Sequence, residues 1–222
     1  MDKVVNYTLE SITRILDRSL LTGVMTSKLS WRRAGAYAGL FIVILSGSVL
    51  TVSLLSNPWF SLQYHSLSDL GRRSARLTLV YNGGLVVSGV LLLFFCTQVF
   101  RESETRLSRG GVVLFGLTGI ALLLIGYRSN GVTLPESYAL GLALSGGTGV
   151  FLLAVSLSYR GVAYARLFAG VVVSGTFLAL LAIHTFDGLA IAELIAIAEY
   201  DVTLLIFSYQ LLQNPRDSCR TA

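Results

Sequence analysis

The chain has 222 residues, of which 54% are hydrophobic and only 13% charged, about half the charged share of an ordinary soluble domain. With a mean hydropathy of +0.71 it reads as a membrane protein, and its length suits one bundle of helices packed in lipid. The net charge of +5 sits in short basic stretches between apolar runs; such stretches orient a chain in a bilayer, and they argue against nucleic acid as a partner.

Residues 1–33 are expected to form a cytoplasmic segment ahead of the first apolar run. Val5, Leu9, Ile12, Leu16 and Leu20 recur at helical spacing among Asp2, Lys3, Glu10, Arg14, Asp17 and Arg18, predicting an amphipathic helix on the membrane surface. The charges that interrupt it argue against a cleavable signal peptide.

Six apolar runs follow, at 34–56, 77–100, 110–127, 138–158, 165–184 and 188–212. Each is long enough to cross about 30 Å of hydrocarbon as a helix, whereas membrane barrel strands are about ten residues long and alternate in character. The predicted fold is all-α, a polytopic bundle of six transmembrane helices spanning 34–212, with a cytoplasmic tail at 213–222. If the N-terminus is inside, thirteen Lys and Arg fall in inner segments and four, Arg72, Arg73, Arg76 and Arg128, in outer loops. That bias predicts that both termini are cytoplasmic. Cys96 lies in an apolar run and Cys219 in the polar tail, so no disulfide is expected between them.

Helices in lipid associate through small residues that let backbones approach. Gly83, Gly84, Gly89, Gly116, Gly119, Gly141, Gly146, Gly147, Gly149 and Gly170, with Ser174, fit that use. The same Gly-rich faces offer surfaces for an oligomer.

The first outer loop, "YHSLSDLGRR" at 64–73, concentrates charge in a chain short of it. A helical start at Ser66 would put His65, Asp69 and Arg72 or Arg73 on one stripe. Ser66 with Asp69 has capping-box spacing, and Asp69 with Arg73 that of a helical ion pair. Three arginines near a helix N-terminus oppose its dipole and call for acceptors, such as a substrate phosphate or carboxylate, or anionic lipid headgroups. The second outer loop, "YRSNGVTLPES", adds Arg128, Asn130 and Glu136, and the turn "HTFDG" adds His184 and Asp187. Both histidines therefore fall at one membrane face.

Span six, "AIAELIAIAEYDVTLLIF", carries Glu193, Glu199 and Asp201. An aspartate near the centre of a bilayer costs roughly 2.5–3.5 kcal/mol on insertion scales, so such groups normally face a bundle interior or a wet cavity. Glu199 and Asp201 are about 200° apart around a helix and cannot share one narrow pocket. Asp187 and Asp201, fourteen apart, are nearly in line. Tyr200, Tyr81 and Asn82 are candidate partners for these carboxyl groups.

A zinc site needs three ligands from His, Asp or Glu and an open position for water. His65 and His184 with Asp69, Asp187 or Glu136 supply that number, without His-x-x-x-His or His-Glu-x-x-His spacing. No Gly-x-Ser-x-Gly elbow marks a serine nucleophile.

A first span, then "HSLSDLG", then "YNGGLVVSGVLLL", then four short-looped spans resembles the prokaryotic six-span family known as domain of unknown function 998. The resemblance covers 34–212 and rests on Ser66, Ser68, Asp69, Leu70 and Gly71 with Asn82, Gly84 and Gly89. It implies a six-span protein of a prokaryotic cell membrane and brings no activity with it. The family is similar in span count to damage-regulated autophagy modulator-type proteins and more remotely to seven-span alkaline ceramidases, which hydrolyse lipid amides with zinc. Members carry a histidine at the start of span four and a Glu-Arg pair in span six, where this chain reads "PESYAL" and "IAEYDV". The ceramidase pattern needs three histidines and this chain has two.

The expected site is thus an outward-facing polar pocket of His65, Ser68, Asp69, Arg72, Arg73, Asn82, Glu136, His184, Asp187, Glu193, Glu199 and Asp201. Its leading use is small-molecule or ion binding and transport, with the lipid bilayer as surroundings and a lipid or small molecule as ligand. A metal-assisted lipid hydrolase, with Glu193 as base, and a non-catalytic scaffold are the alternatives.

Overall fold

The computed structural model describes residues 30–72, 74–128, 136–162 and 164–213. The surface helix expected within 1–33, the tail beyond 213, Arg73 and Asn130 lie outside those residues, as do the side chains of Arg128 and Glu136.

Among the described residues there are no strands and six long helices. They are α1 (Ser30–Ser56), α2 (Thr78–Glu102), α3 (Arg106–Arg128), α4 (Glu136–Tyr159), α5 (Ala165–Thr185) and α6 (Ala190–Leu212). A 3₁₀ turn, Leu67–Gly71, interrupts the connection from α1 to α2. Helices α1, α2, α3 and α5 are long and apolar enough to cross a membrane. With every backbone polar group along such a helix bonded internally, the helix is a form that lipid tolerates. The chain is an integral membrane protein.

Consecutive helices run antiparallel. At one end Arg32 of α1 lies 3.5 Å from Glu102 at the end of α2, and donates to the Gln213 carbonyl past α6. At that same end Thr105 meets Ser156 (3.2 Å), Arg160 pairs with Glu104 (3.7 Å) and Gln210 donates to the Tyr164 hydroxyl (2.7 Å). The core along the bundle is built from Phe95, Phe115, Val150, Leu153, Phe168, Val172, Leu204 and Phe207.

Glycines set the closeness of several helix pairs. Gly89 and Gly119 lay α2 on α3 backbone to backbone, as Gly111 and Gly149 do for α3 on α4. Gly84 receives Val49 of α1, and Gly146 lies under the hydroxyls of Tyr200 and Thr118. The expectation fails at Gly83, Gly147 and Gly170, where nothing among the described residues lies within 4 Å of the place a Cβ would occupy. Those three face away from the bundle, because the helix surface that packs is narrower than a glycine-rich sequence suggests.

Candidate functional site

At the end away from Arg32 and Glu102, the α1–α2 connection folds into a cover for the bundle. Asn57, 1% exposed, anchors it. Its Nδ2 donates to the carbonyls of Ser53 (2.8 Å) and Arg76 (3.1 Å), while its Oδ1 accepts from Trp59 Nε1 (3.0 Å) and the Arg76 N–H (2.7 Å). One side chain therefore ties the last turn of α1 to the residue just before Leu77, whose φ of 56° is left-handed. For a leucine that conformation costs roughly 1–2 kcal/mol, and it persists where the surroundings over-determine it. The "SNPW" stretch reads as an ordinary turn in sequence, so Asn57 escapes notice there.

His65 closes an aromatic group. Its ring stacks on Phe60 (5.5 Å, 29°) and stands edge-on to Trp59 (5.2 Å), and the Ser61 N–H donates to its Nδ1 (3.1 Å). Asp69 accepts from the Ser66 N–H (3.0 Å), completing a capping box on the 3₁₀ turn, and pairs with Arg72 at 2.9 Å. The turn ends at Gly71, whose carbonyl accepts from Asn82 Nδ2 (3.1 Å), and α2 starts only at Thr78. The helical start imagined at Ser66 is thus a separate short turn, and no continuous His65–Asp69–Arg72 stripe runs into α2. Ser68 is exposed and shares a hydroxyl contact with Ser66 (2.8 Å).

This cover is fastened to α6. The Gly188 N–H donates to the Gln63 carbonyl (2.7 Å), and the Ala190 N–H to the His65 carbonyl (3.0 Å). The Glu193 carboxylate accepts from the Leu67 N–H at the head of the 3₁₀ turn. Gly188 is needed for the approach: a Cβ there would stand 2.5 Å from the His65 nitrogen. Beneath, Leu67, Leu70, Tyr81 and Ala190 make a second apolar cluster with Val49, Leu54, Leu85 and Leu194. The HSLSDLG and HTFDG loops thus meet, through their peptide groups.

His184 and Asp187 lie at the same end, both exposed. Among the described residues no three of His, Cys, Asp and Glu come together in a group that could hold a metal ion. His65, His184, Asp69 and Asp187 therefore do not assemble the ligand set that zinc chemistry requires.

Deeper along α6, the carboxyl groups part company. Asp201 turns to α1, where the Ser46 hydroxyl lies 3.4 Å from both of its oxygens. Glu199, 6% exposed, turns to α5 and fills the space above Gly175, where a Cβ would collide with its carboxyl. Its Oε1 has no hydrogen-bond partner among the described residues. Tyr200 turns a third way, edge-on to Phe115 of α3 at 5.4 Å. Ser46 and Gly175 were not legible as partners, since a serine and a glycine in apolar runs look like packing residues.

The family described as a protein of unknown function, DUF998, matches residues 37–209, from early in α1 to near the end of α6. The chain belongs to the DUF998 family. Neither a curated protein nor a solved structure matches this DUF998 member. Of the residues on which the family resemblance rests, Ser66, Asp69, Leu70, Gly71 and Asn82 all serve the cover or its attachment to α2. Gly84 and Gly89 serve the contacts of α2 with α1 and α3. In this DUF998 protein the sequence signature therefore marks the seat of the cover, and Glu199 sits elsewhere.

Proposed function

We propose that this DUF998 protein is a six-span carrier or channel of the cell membrane, with both termini inside, that binds and moves a small ion through the carboxyl groups of α6. The observation that carries the reading is Glu199, buried, with an oxygen that lacks a hydrogen-bond partner among the described residues. It is nine residues into a helix of 23, so about 14 Å from the start at 1.5 Å per residue, near the middle of a bilayer. The Thr176 backbone N–H is the one donor to this carboxyl among the described residues; a carboxyl group at that depth with an oxygen left unpaired carries a cost that a purely structural role does not offset, and residues of this kind mark ion pathways in membrane proteins. The outer cover over the same helices, fastened through Glu193, suits an access path that is closed in this state.

Orientation is supported by charge. Arg32, Arg33, Arg101, Arg106, Arg109, Arg160 and Arg166 gather at one end of the bundle, against Arg72, Arg76 and Arg128 at the other among the described residues. The positive-inside rule then puts the cover outside.

A scaffold reading is favoured by Asp201 and Glu193, which tie α6 to Ser46 and to Leu67. Flux separates the two. Purified protein in liposomes, under an imposed potential, is expected to conduct protons or sodium above protein-free vesicles, and Glu199→Gln to abolish that flux while remaining monodisperse. Absence of both fluxes from the unmodified chain would overturn transport and leave the scaffold.

A further inference from the structure

We propose that the ion held at Glu199 is a proton, bound and released by its carboxyl group in the seam between α5 and α6. This rests on the transport reading of the same residue and names what it carries. The surroundings decide the class of ligand. Cations such as magnesium and calcium take six or more oxygens, and the hydroxyls near Glu199 are turned to the backbone. Thr203 Oγ1 donates to the Glu199 carbonyl (2.8 Å) and Ser174 Oγ to the Val171 carbonyl (3.1 Å). The carboxyl rests directly on Gly175, where a Cβ would collide with it. A proton needs only one oxygen.

Charge around the site agrees. Among the described residues, no basic side chain forms an ion pair with Glu199. On α5, Arg166 and His184 are each nine residues from Gly175, about 14 Å along the helix. On α6 itself Tyr200 faces Phe115, Asp201 faces Ser46, and Glu193 lies six residues nearer the cover. At the level of Glu199 and Tyr200, α3 and α4 bring Phe115, Thr118 and Gly146, none of which titrates. An ionised carboxylate without a counter-charge is costly in such a place, whereas a carboxylic acid is tolerated.

The test uses dicyclohexylcarbodiimide, an apolar reagent that reacts with carboxylic acids in lipid. The acid O–H adds across its N=C bond: the carboxyl oxygen joins the central carbon, the proton goes to nitrogen, and rearrangement to the N-acylurea expels nothing. Peptide mass spectrometry of the full chain in liposomes is expected to find that adduct on Glu199, diminishing as the buffer is made alkaline, and to lose it in Glu199→Gln. Infrared spectra are expected to show a carboxylic-acid carbonyl band that shifts in D₂O and disappears in the same variant, a readout independent of reagent access. A wild-type spectrum without that band, or one in which Glu199→Gln leaves it intact, would overturn the proposal. Sodium flux abolished by Glu199→Gln in a protein lacking the band would overturn the proton and keep transport. An adduct and band on Glu199 with no flux of either ion would uphold the proton and remove transport.

Discussion

Replacing Gly188 by alanine tests whether the cover formed by the α1–α2 connection depends on one close approach. The backbone at Gly188 is not left-handed, since among the described residues only Gly161 is the glycine with positive φ, so alanine meets no conformational penalty and any damage is steric. The added Cβ would press on the His65 peptide, at 2.5 Å from its nitrogen. Neither side of that contact is a flexible side-chain tip, so residues 63–67 must slide or lift. Overpacking of this kind costs about 1–3 kcal/mol. Lifting would also break the bonds from Gly188 to Gln63 and from Ala190 to His65, at about 0.5–1.5 kcal/mol each. The total runs from about 1 kcal/mol for a slide to roughly 6 kcal/mol for detachment. For a chain of this size that lowers Tm by about 2 °C at the least and well over 10 °C at the most. Scanning fluorimetry in detergent reads this out, with Gly83→Ala as the control because its Cβ would enter open space. Alanine there is expected to leave Tm unchanged or slightly raised, since it favours helix over glycine. Equal stability of Gly188→Ala and the unmodified chain, or equal loss in both variants, would refute the reasoning.

Asn57→Ala removes four hydrogen bonds from a fully buried position, two of them to the backbone N–H and C=O of Arg76. It is expected to cost about 2–4 kcal/mol and to red-shift tryptophan emission as Trp59 loses its acceptor; a Tm within error of wild type would show that Asn57 does not anchor the cover. For orientation, single cysteines are introduced at Gln63 or Glu104 after replacing Cys96 and Cys219. An impermeant maleimide applied to intact cells is expected to label Gln63→Cys and spare Glu104→Cys, and the opposite pattern would invert the topology.

The helices were legible because each is a run of about twenty apolar residues bounded by Gly, Pro or charge; the six predicted runs differ from the observed helices by four residues or fewer at every end. The divergence of Glu199 and Asp201 was legible too, since helical geometry alone sends residues two apart to different neighbours. What could not be read is the joining of 63–67 to 188–193. Two of its three bonds run between peptide groups, which every sequence possesses, and the third ends on the Leu67 N–H. The two histidines looked like partners because they are rare. In the structure His65 has its ring among Trp59 and Phe60, and His184 points outward at the end of α5. Residue type showed where polarity lies, and only the fold showed which buried polar atoms, Glu199 Oε1 among them, lack a hydrogen-bond partner among the described residues.

The fastening of the cover to α6 carries one more consequence. Because two of its three bonds join amide and carbonyl groups, those two do not depend on which side chains stand at 63 and 65, whereas a Cβ at Gly188 or a proline at 188 or 190 would undo them. The side chains at 63 and 65 can therefore change without shifting how the cover is seated on α6. The cover behaves as an exchangeable plate on a fixed frame, whose surface can vary while the helices below stay in register.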